Sequence, residues 1–220
     1  MVYQNIETLI GEDYGMSIKI YTVYFEGKYT PDYVGKLYDS LKRNTSLPFE
    51  FICYSDNPNV KADKVIPLPR EHSTPIRKHW HKIAFFCPLF GYQKPGDEII
   101  VMDIDQVIVG NMDDIIGYKV KDNQLVSYRK WWGAKDGQML NGGFYKFKSG
   151  HLQKIWDKFI RSPEDWQLLW FKKGIVHYKW FGEQNFVQHM CKKFGFDITL
   201  MPGEWIGKMT IDPQQNLKNN

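Results

Sequence analysis

The chain has 220 residues, of which 43% are hydrophobic and 25% charged, and its formal net charge is +4. This length suits one large domain with a substantial core, and because no apolar run approaches 18 residues, no transmembrane segment is predicted. The charge is too small and too dispersed along the sequence to predict nucleic-acid binding. Aromatic residues make up 16% of the chain, an excess that suits a cleft in which planar bases or sugar rings stack.

The cysteines and the two termini indicate the compartment of the protein and the limits of its main domain. None of the three cysteines has the paired spacing of a metal site: Cys53, Cys87 and Cys191. They are interpreted as buried reduced thiols, which indicates a reducing compartment, and without a signal-peptide pattern a cytoplasmic location is expected. We expect an N-terminal extension over residues 1–15, the main domain over residues 16–212, and a flexible tail over residues 213–220.

The first half of the chain alternates between strand and helix patterns. The predicted elements are a strand over residues 17–25, a helix over 31–44 capped by Thr30, strands over 49–54 and 65–68, a helix opened by Thr74 and Pro75, and a strand over 98–102. This order predicts a single Rossmann-like α/β domain with a mostly parallel central sheet flanked by helices. Ligands of such sheets bind beyond the carboxyl ends of the strands.

The second half is less regular. The patterns predict strands over residues 125–128, 143–147 and 197–201, a helix over 152–159, and a helix from Glu183 to residue 194. Three tryptophans outside these elements are candidate platforms for stacking a sugar, with core packing as the alternative: Trp131, Trp132 and Trp205.

Two carboxylates, Asp103 and Asp105, directly follow the predicted strand 98–102 in an otherwise apolar run. An unpaired buried carboxylate costs several kcal/mol or more, so such a pair requires a partner. A divalent cation could offset their repulsion, because Mg²⁺ and Mn²⁺ prefer oxygen ligands and keep positions open for substrate phosphates. The motif alone is equally compatible with two solvated aspartates in a turn.

Six separated segments resemble, in their order, the nucleotide-sugar-dependent glycosyltransferases of the GT-A fold, and most closely family eight, the group of glycogenin and the lipopolysaccharide galactosyltransferases. The segments, which lie between residues 18 and 201, are YTVYFEGKYTPDYVGKLYDSLKRN, FICYSDN, Trp80-His-Lys82, VMDIDQVIVGNMDD from Val101 to Asp114, Asn141-Gly-Gly143 and Gly182-Glu-Gln184. The resemblance implies a GT-A domain that transfers a hexose from a UDP-sugar to a carbohydrate or glycolipid acceptor, with retention of the anomeric configuration.

The resemblance also implies a role for each matching residue. Asp103 and Asp105 would hold Mn²⁺ or Mg²⁺ at the donor diphosphate, with Ile104 between them. The residues implied to border the remainder of the donor are Thr22, Val23, Tyr24, Asp56, Arg77, Lys82, Gly142 and Gly143. Those implied to lie at the reacting sugar are Asn141, Glu183 and Gln184.

Each role has a purely structural alternative. Lys82 could be a solvated helix lysine, Gly142 and Gly143 an ordinary tight turn, and Glu183 a helix N-terminal residue favoured by the helix dipole. The residues at the ends of the first two strands could be routine strand and turn residues.

The sequence departs from the family in two places. The family completes its metal shell with a late histidine, but no histidine follows His189 here, so the third protein ligand is unassigned. The family's aspartate before glutamine is Glu183 in this chain, which weakens its assignment as a nucleophile. Two other functions stay open: a nucleotide-sugar-binding domain without turnover, and a phosphatase of the haloacid-dehalogenase type, whose Asp-x-Asp strand normally opens its domain.

Overall fold

The computed structural model describes residues 17–130, 137 and 139–207. The predicted extension, the predicted tail, Trp131 and Trp132 lie outside these ranges. The strands are β1 (Ile18–Tyr24), β2 (Glu50–Ser55), β3 (Lys64–Pro67), β4 (Glu98–Met102), β5 (Gln124–Arg129), β6 (Leu140–Lys148) and β7 (Asp197–Leu200). The α-helices are α1 (Asp32–Asn44), α2 (Asp113–Ile116), α3 (Gln153–Phe159), α4 (Pro163–Lys172) and α5 (Glu183–Phe194). The 3₁₀ helices are Glu71–Ser73, Lys78–Phe86 and Gly203–Trp205.

The seven strands form one mixed, mostly parallel sheet in the order β3-β2-β1-β4-β6-β5-β7. Only β6 runs antiparallel to its neighbours, β4 and β5, while β7 is parallel to β5. The carboxyl ends of β1, β2, β4 and β5 therefore meet the amino end of β6 at one edge of the sheet. The predicted fold class is confirmed, and this edge is where the sequence places its candidate ligand-binding residues.

Helices cover both faces of the sheet. On one face, α1 buries the residues of its i, i+3, i+7 stripe: Val34, Leu37 and Leu41. On the other face, α3, α4, α5 and the 3₁₀ helix Lys78–Phe86 pack around a second cluster that includes Trp80, Phe159 and Phe186. The five residues of β4 are buried throughout, as expected of a central strand covered on both faces.

Two segments differ from the sequence prediction. The segment after Pro75 was predicted to be an α-helix but forms the 3₁₀ helix Lys78–Phe86. The prediction depended on apolar residues at helical spacing: Ile76, Trp80, Ile83, Ala84 and Cys87. Residues 80–86 are all buried, including the polar His81 and Lys82, so this spacing does not mark a single buried face. Helix α4 was not predicted. On its inward face, Gln167 Oε1 accepts the backbone N–H of Arg77 at 2.6 Å, and Gln167 Nε2 donates to the carbonyl of Pro75 at 2.8 Å.

The three cysteines are free thiols. Cys53 and Cys191 are buried, as predicted, whereas Cys87 is only half-buried. Among the residues that the structure describes, no helix combines the length and the apolar character needed to cross a lipid bilayer.

Candidate active site

The two aspartates lie at the edge of the sheet where β4 ends. The backbone N–H of Asp103 donates to the carbonyl of Gly143 on β6 at 3.0 Å. Ile104 is buried in the cluster beneath α1, whereas the side chains of Asp103 and Asp105 are 39% and 43% exposed. Because the central isoleucine is buried, both flanking carboxylates lie outside the core at this edge of the sheet.

Lys82, in the 3₁₀ helix Lys78–Phe86, is buried beneath this edge and contacts three of its groups. Its side chain is 4% exposed, and its ammonium lies 2.6 Å from the Gly142 carbonyl, 3.0 Å from Asp103 Oδ1 and 3.3 Å from Glu183 Oε2. Burial alone would lower the pKa of Lys82, but the two carboxylates raise this pKa above its ordinary value, so the side chain stays charged. The alternative of a solvated helix lysine is wrong.

Glu183 is the first residue of α5 and is almost fully buried. Gly182 before it has a φ of +108°, and a Cβ there would lie 2.6 Å from Trp170, so the turn into α5 requires glycine. Burial raises the pKa of Glu183; the negative charge of Asp103 adds to the shift and Lys82 opposes it. Neither Glu183 Oε1 nor the buried Tyr145 hydroxyl makes a hydrogen bond of ordinary geometry within the described ranges, but the interaction with this hydroxyl opposes the rise in the pKa of Glu183. Two such buried polar groups in a charged cluster mark a candidate functional site.

Gly142 and Gly143 lie inside β6, at a point where its register with β5 shifts between Ser127 and Tyr128. This bulge carries extra residues of β6 toward the aspartates. A Cβ on Gly142 would lie 2.9 Å from Glu183 Oε2, so glycine is needed there for a close approach. Because both glycines lie inside β6 rather than before it, the alternative of a tight turn into the strand is wrong. The strand also begins three residues earlier than predicted.

Asn141 and Gln184, both predicted to lie at the reacting sugar, are brought to the same bulge. Asn141 is 5% exposed, and its Oδ1 atom accepts the backbone N–H of Gly143 at 2.9 Å. The Oε1 atom of Gln184 accepts the backbone N–H of Gly142 at 2.9 Å. Both side chains thus fix the backbone between the aspartates and Glu183.

Sequence reasoning missed two residues that support the bulge. The Ser127 hydroxyl is fully buried and donates to the Phe144 carbonyl at 2.9 Å. The amide of Gln106 donates to the Gly143 carbonyl at 2.5 Å. Gln106 follows the aspartate pair and could have been identified by that adjacency. Ser127 gives no such signal, because the bulge that it supports arises only when β5 and β6 pair.

Two further residues missed from the sequence contact Asp105. The Tyr29 hydroxyl donates to Asp105 Oδ2, and the Lys28 ammonium lies 3.9 Å from the same oxygen. Burial raises the pKa of Tyr29, and its hydrogen bond to the Asp105 carboxylate adds to the shift. Lys28 and Lys82 therefore place a positive charge beside each of the two aspartates.

The residues predicted to border the nucleotide lie at the correct edge but differ in accessibility. The Thr22 hydroxyl is buried and donates to the Met102 carbonyl at 2.8 Å, and Tyr24 is buried beneath α1. Val23 is half-buried, and exposed Asp56 accepts the backbone N–H of Glu26 at 3.1 Å. Val23 and Asp56 therefore keep accessible side chains at this edge, while those of Thr22 and Tyr24 are committed to the interior.

Arg77 is not part of the cluster around Lys82. Its guanidinium donates to the backbone carbonyls of Glu71 and Thr74, and its backbone N–H donates to Gln167 on α4. The resemblance implies that Arg77 borders the donor together with Lys82 on the same predicted helix, but the segment is a 3₁₀ helix that begins after Arg77.

The oxygen atoms at this edge fit a hard divalent cation. Asp103 Oδ2 and Asp105 Oδ1 accept no hydrogen bond from any described residue, while the other oxygen of each carboxylate is engaged. Mg²⁺-like ions are commonly held by one or two carboxylates together with substrate phosphates and water. Within residues 17–130 and 139–207, no group of three or more His, Cys, Asp or Glu side chains converges as a complete metal site.

Comparison with known proteins identifies the fold. No protein-family model and no curated protein sequence matches the chain. The glycosyltransferase GlyE of Streptococcus pneumoniae TIGR4 superposes with a TM-score of 0.56 at 12% identity, over 86% of this chain and 46% of the GlyE chain. The galactosyltransferase LgtC, solved with donor and acceptor sugar analogs, superposes with a TM-score of 0.57 at 12% identity, over 91% of this chain and 83% of that chain.

These likenesses confirm the fold that the six sequence segments predicted. The described domain is an α/β domain of the kind found in those glycosyltransferases. The chain spans less than half the length of the GlyE chain.

Proposed function

We propose that this protein is a metal-dependent glycosyltransferase that transfers a hexose from a UDP-sugar to a carbohydrate or glycolipid acceptor, with retention. The observation that carries the proposal is the buried Lys82 bridge between Asp103 and Glu183, at the carboxyl edge of a sheet shared with glycosyltransferases. The predicted metal-binding residue and the predicted catalytic residue are thereby joined by one charged group. Two solvated turn aspartates would have no such partner.

The donor diphosphate would lie beside the aspartates. Asp103 Oδ2 and Asp105 Oδ1 are the atoms that would hold Mn²⁺ or Mg²⁺. When bound, the ion supplies Lewis-acid stabilisation of the charge that develops on the departing UDP. Lys28 and Lys82 add positive charge at the same edge, and Val23 and Asp56 would border the nucleoside.

The reacting sugar would lie against the β6 bulge and the start of α5, on the side that faces the aspartates. In the transfer, the bond from the anomeric carbon to the diphosphate breaks and its electron pair leaves with UDP. The acceptor oxygen bonds to the same carbon, and the proton of its hydroxyl passes to an oxygen of the departing diphosphate. The Glu183 carboxyl group, held beside Lys82, would face the positive charge that develops on the sugar ring. Gln184 and Asn141 would hold the neighbouring backbone in place.

One observation favours a second candidate, a nucleotide-sugar-binding domain without turnover. The Lys82 ammonium already bonds Asp103 Oδ1, and the described residues offer no third carboxylate or imidazole ligand. The phosphatase alternative is not favoured, because its Asp-x-Asp strand opens the domain, whereas β4 is the fourth strand and lies between β1 and β6.

Calorimetric titration with UDP, with and without Mn²⁺, tests the donor site. Mn²⁺ should strengthen UDP binding, and Asp103→Asn or Asp105→Asn should remove that gain, weakening binding by at least about tenfold. Asp122→Asn is the matched control, because Asp122 is 66% exposed and paired with Lys148 away from this edge. A UDP affinity that changes neither with Mn²⁺ nor with the two substitutions would contradict the proposal. Metal-dependent binding without UDP release from any UDP-hexose would instead support the second candidate.

A further inference from the structure

Tyr145 on β6 places a polar hydroxyl in the apolar cluster beneath α5. Its side chain is fully buried, and its register partners in the sheet are Val101 on β4 and Ser127 on β5. The same cluster contains Val187 and Cys191, which α5 directs toward the sheet. Burying a hydroxyl in apolar surroundings is unfavourable unless an acceptor lies nearby, so this phenol needs a polar partner.

The acceptor available to this hydroxyl is the carboxyl group of Glu183. Glu183, Val187 and Cys191 follow one another at i, i+4 and i+8, so they lie on one face of α5. Burial raises the pKa of Tyr145 well above its ordinary value, and the electrostatic interaction and hydrogen bond with Glu183 add to the shift. Burial also raises the pKa of Glu183, while Lys82 and then the Tyr145 hydroxyl oppose that rise. Both effects of the pair have the direction expected when a phenol donates to a carboxyl oxygen.

The two oxygens of Glu183 face different donors. The Lys82 ammonium lies 3.3 Å from Oε2 and 5.9 Å from the centroid of the Tyr145 ring, so it is close to both groups. Oε1 makes no hydrogen bond of ordinary geometry within the described ranges, which leaves it for the Tyr145 hydroxyl. A carboxyl group held at one oxygen can still rotate, because its terminal torsion is only weakly restricted. A second donor at the other oxygen removes this freedom.

We propose that Tyr145 is a positioning residue, which donates to Glu183 Oε1 and so fixes the orientation of this carboxyl group toward the reacting sugar. The inference rests on the proposed transferase function. Because Tyr145 is fully buried, it acts through Glu183 and does not contact the sugar. Hydrogen bonds of catalytic groups are often poorly aligned before the substrate binds and tighten afterwards.

Gly142 limits the position of the same carboxyl group from β6. A Cβ on Gly142 would lie 2.9 Å from Glu183 Oε2, so this oxygen occupies the space that a side chain would need. Together with Lys82 and Tyr145, the glycine therefore defines a single position for the carboxyl group. An error of about 1 Å in the placement of a catalytic group can lower a rate by about a hundredfold, so loss of one of these contacts should be measurable in turnover.

Tyr145→Phe removes the hydroxyl and keeps the ring, so it tests positioning with little change in packing. We expect kcat for UDP release from a UDP-hexose to fall by about tenfold or more. KM for the UDP-hexose and the Kd of UDP should change little, because no contact with the donor is removed. The matched control is Tyr21→Phe, which removes another fully buried hydroxyl, bonded to the Gly91 carbonyl at 2.6 Å, and should leave kcat unchanged.

A double-mutant cycle with Glu183→Met separates positioning from a general structural role. Methionine removes both carboxyl oxygens at similar length, so adding Tyr145→Phe to it should lower neither kcat nor the urea midpoint further. Glu183→Asp, whose shorter side chain withdraws the carboxyl group, takes its place in the cycle should the methionine variant not fold.

Three results would overturn the positioning role of Tyr145: losses in kcat that multiply in the double variant, a kcat that Tyr145→Phe leaves unchanged, or an equal loss in Tyr21→Phe. Failure of the transferase function is recognised separately, because the wild type would then release no UDP from any UDP-hexose. The urea midpoints would still decide whether the hydroxyl holds Glu183. Midpoint shifts that add in the double variant would show that the two residues do not interact.

Discussion

Replacement of Lys82 by methionine tests the charge network at the candidate site most directly. Methionine keeps the length of the apolar stem but removes the ammonium that contacts Asp103, Gly142 and Glu183. Because Glu183 is almost fully buried, we expect a loss of about 3–5 kcal/mol in the free energy of unfolding. The matched control is Lys61→Met, which removes a 60% exposed ammonium paired with Asp39 and should cost about 0–1 kcal/mol.

The loss of stability caused by Lys82→Met should depend on pH, and the direction of this dependence follows from the pKa of Glu183. Burial already raises the pKa of this carboxyl, and Lys82 opposes that shift, so removing Lys82 should raise the pKa further. The folded variant then keeps the Glu183 proton to a higher pH than the unfolded chain does. The stability of the variant therefore falls as pH rises above the ordinary glutamate pKa. Its loss of stability relative to the wild type should be smallest at about pH 5 and largest at about pH 8.

Urea denaturation of the wild type and both variants over this pH range measures the effect. UDP release from UDP-hexoses, followed in parallel, should be lost in Lys82→Met and retained in Lys61→Met. A deficit in Lys82→Met that is the same at every pH would show that Glu183 is not the group left unpaired. Equal costs for the two variants would refute the inferred burial of the network.

Two further substitutions test the β6 bulge. Gly142→Ala places a methyl group 2.9 Å from Glu183 Oε2 and should lower the rate of UDP release by about tenfold or more, because it displaces that carboxylate. Gly110→Ala is the control, since the space around Gly110 is open and the rate should not change. Equal rates in the two variants would contradict the close approach of Gly142 to Glu183. Ser127→Ala leaves a carbonyl of the bulge unbonded and should cost about 1–3 kcal/mol in urea unfolding, and a cost near zero would show that the hydroxyl does not support the bulge.

The sequence predicted the elements whose patterns are local. The continuous apolar run of β4 specifies a buried central strand, and the i, i+3, i+7 spacing of Val34, Leu37 and Leu41 specifies the buried face of α1. The position of Asp103 and Asp105 at the end of β4 follows directly from the same run. These predictions succeed because side-chain periodicity and strand ends are properties of a few neighbouring residues.

The sequence failed where distant segments determine the conformation. Residues 80–86 are buried without interruption, so their burial does not distinguish an α-helix from a 3₁₀ helix. The inward face of α4 carries the polar Gln167, which accepts a hydrogen bond from the backbone N–H of Arg77. The role of Gly142 and Gly143 also depended on contacts from α5 and from Gln106, more than 30 residues distant in each case.

By itself, the sequence determined the α/β class, the mostly parallel sheet and the edge at which polar residues gather, because each follows from local periodicity and from the geometry of parallel strands. Only the tertiary structure decided that Lys82 is buried between Asp103 and Glu183. Electrostatic interactions act across space rather than along the chain, so residues far apart in sequence acquire their partners only when the sheet and its helices assemble.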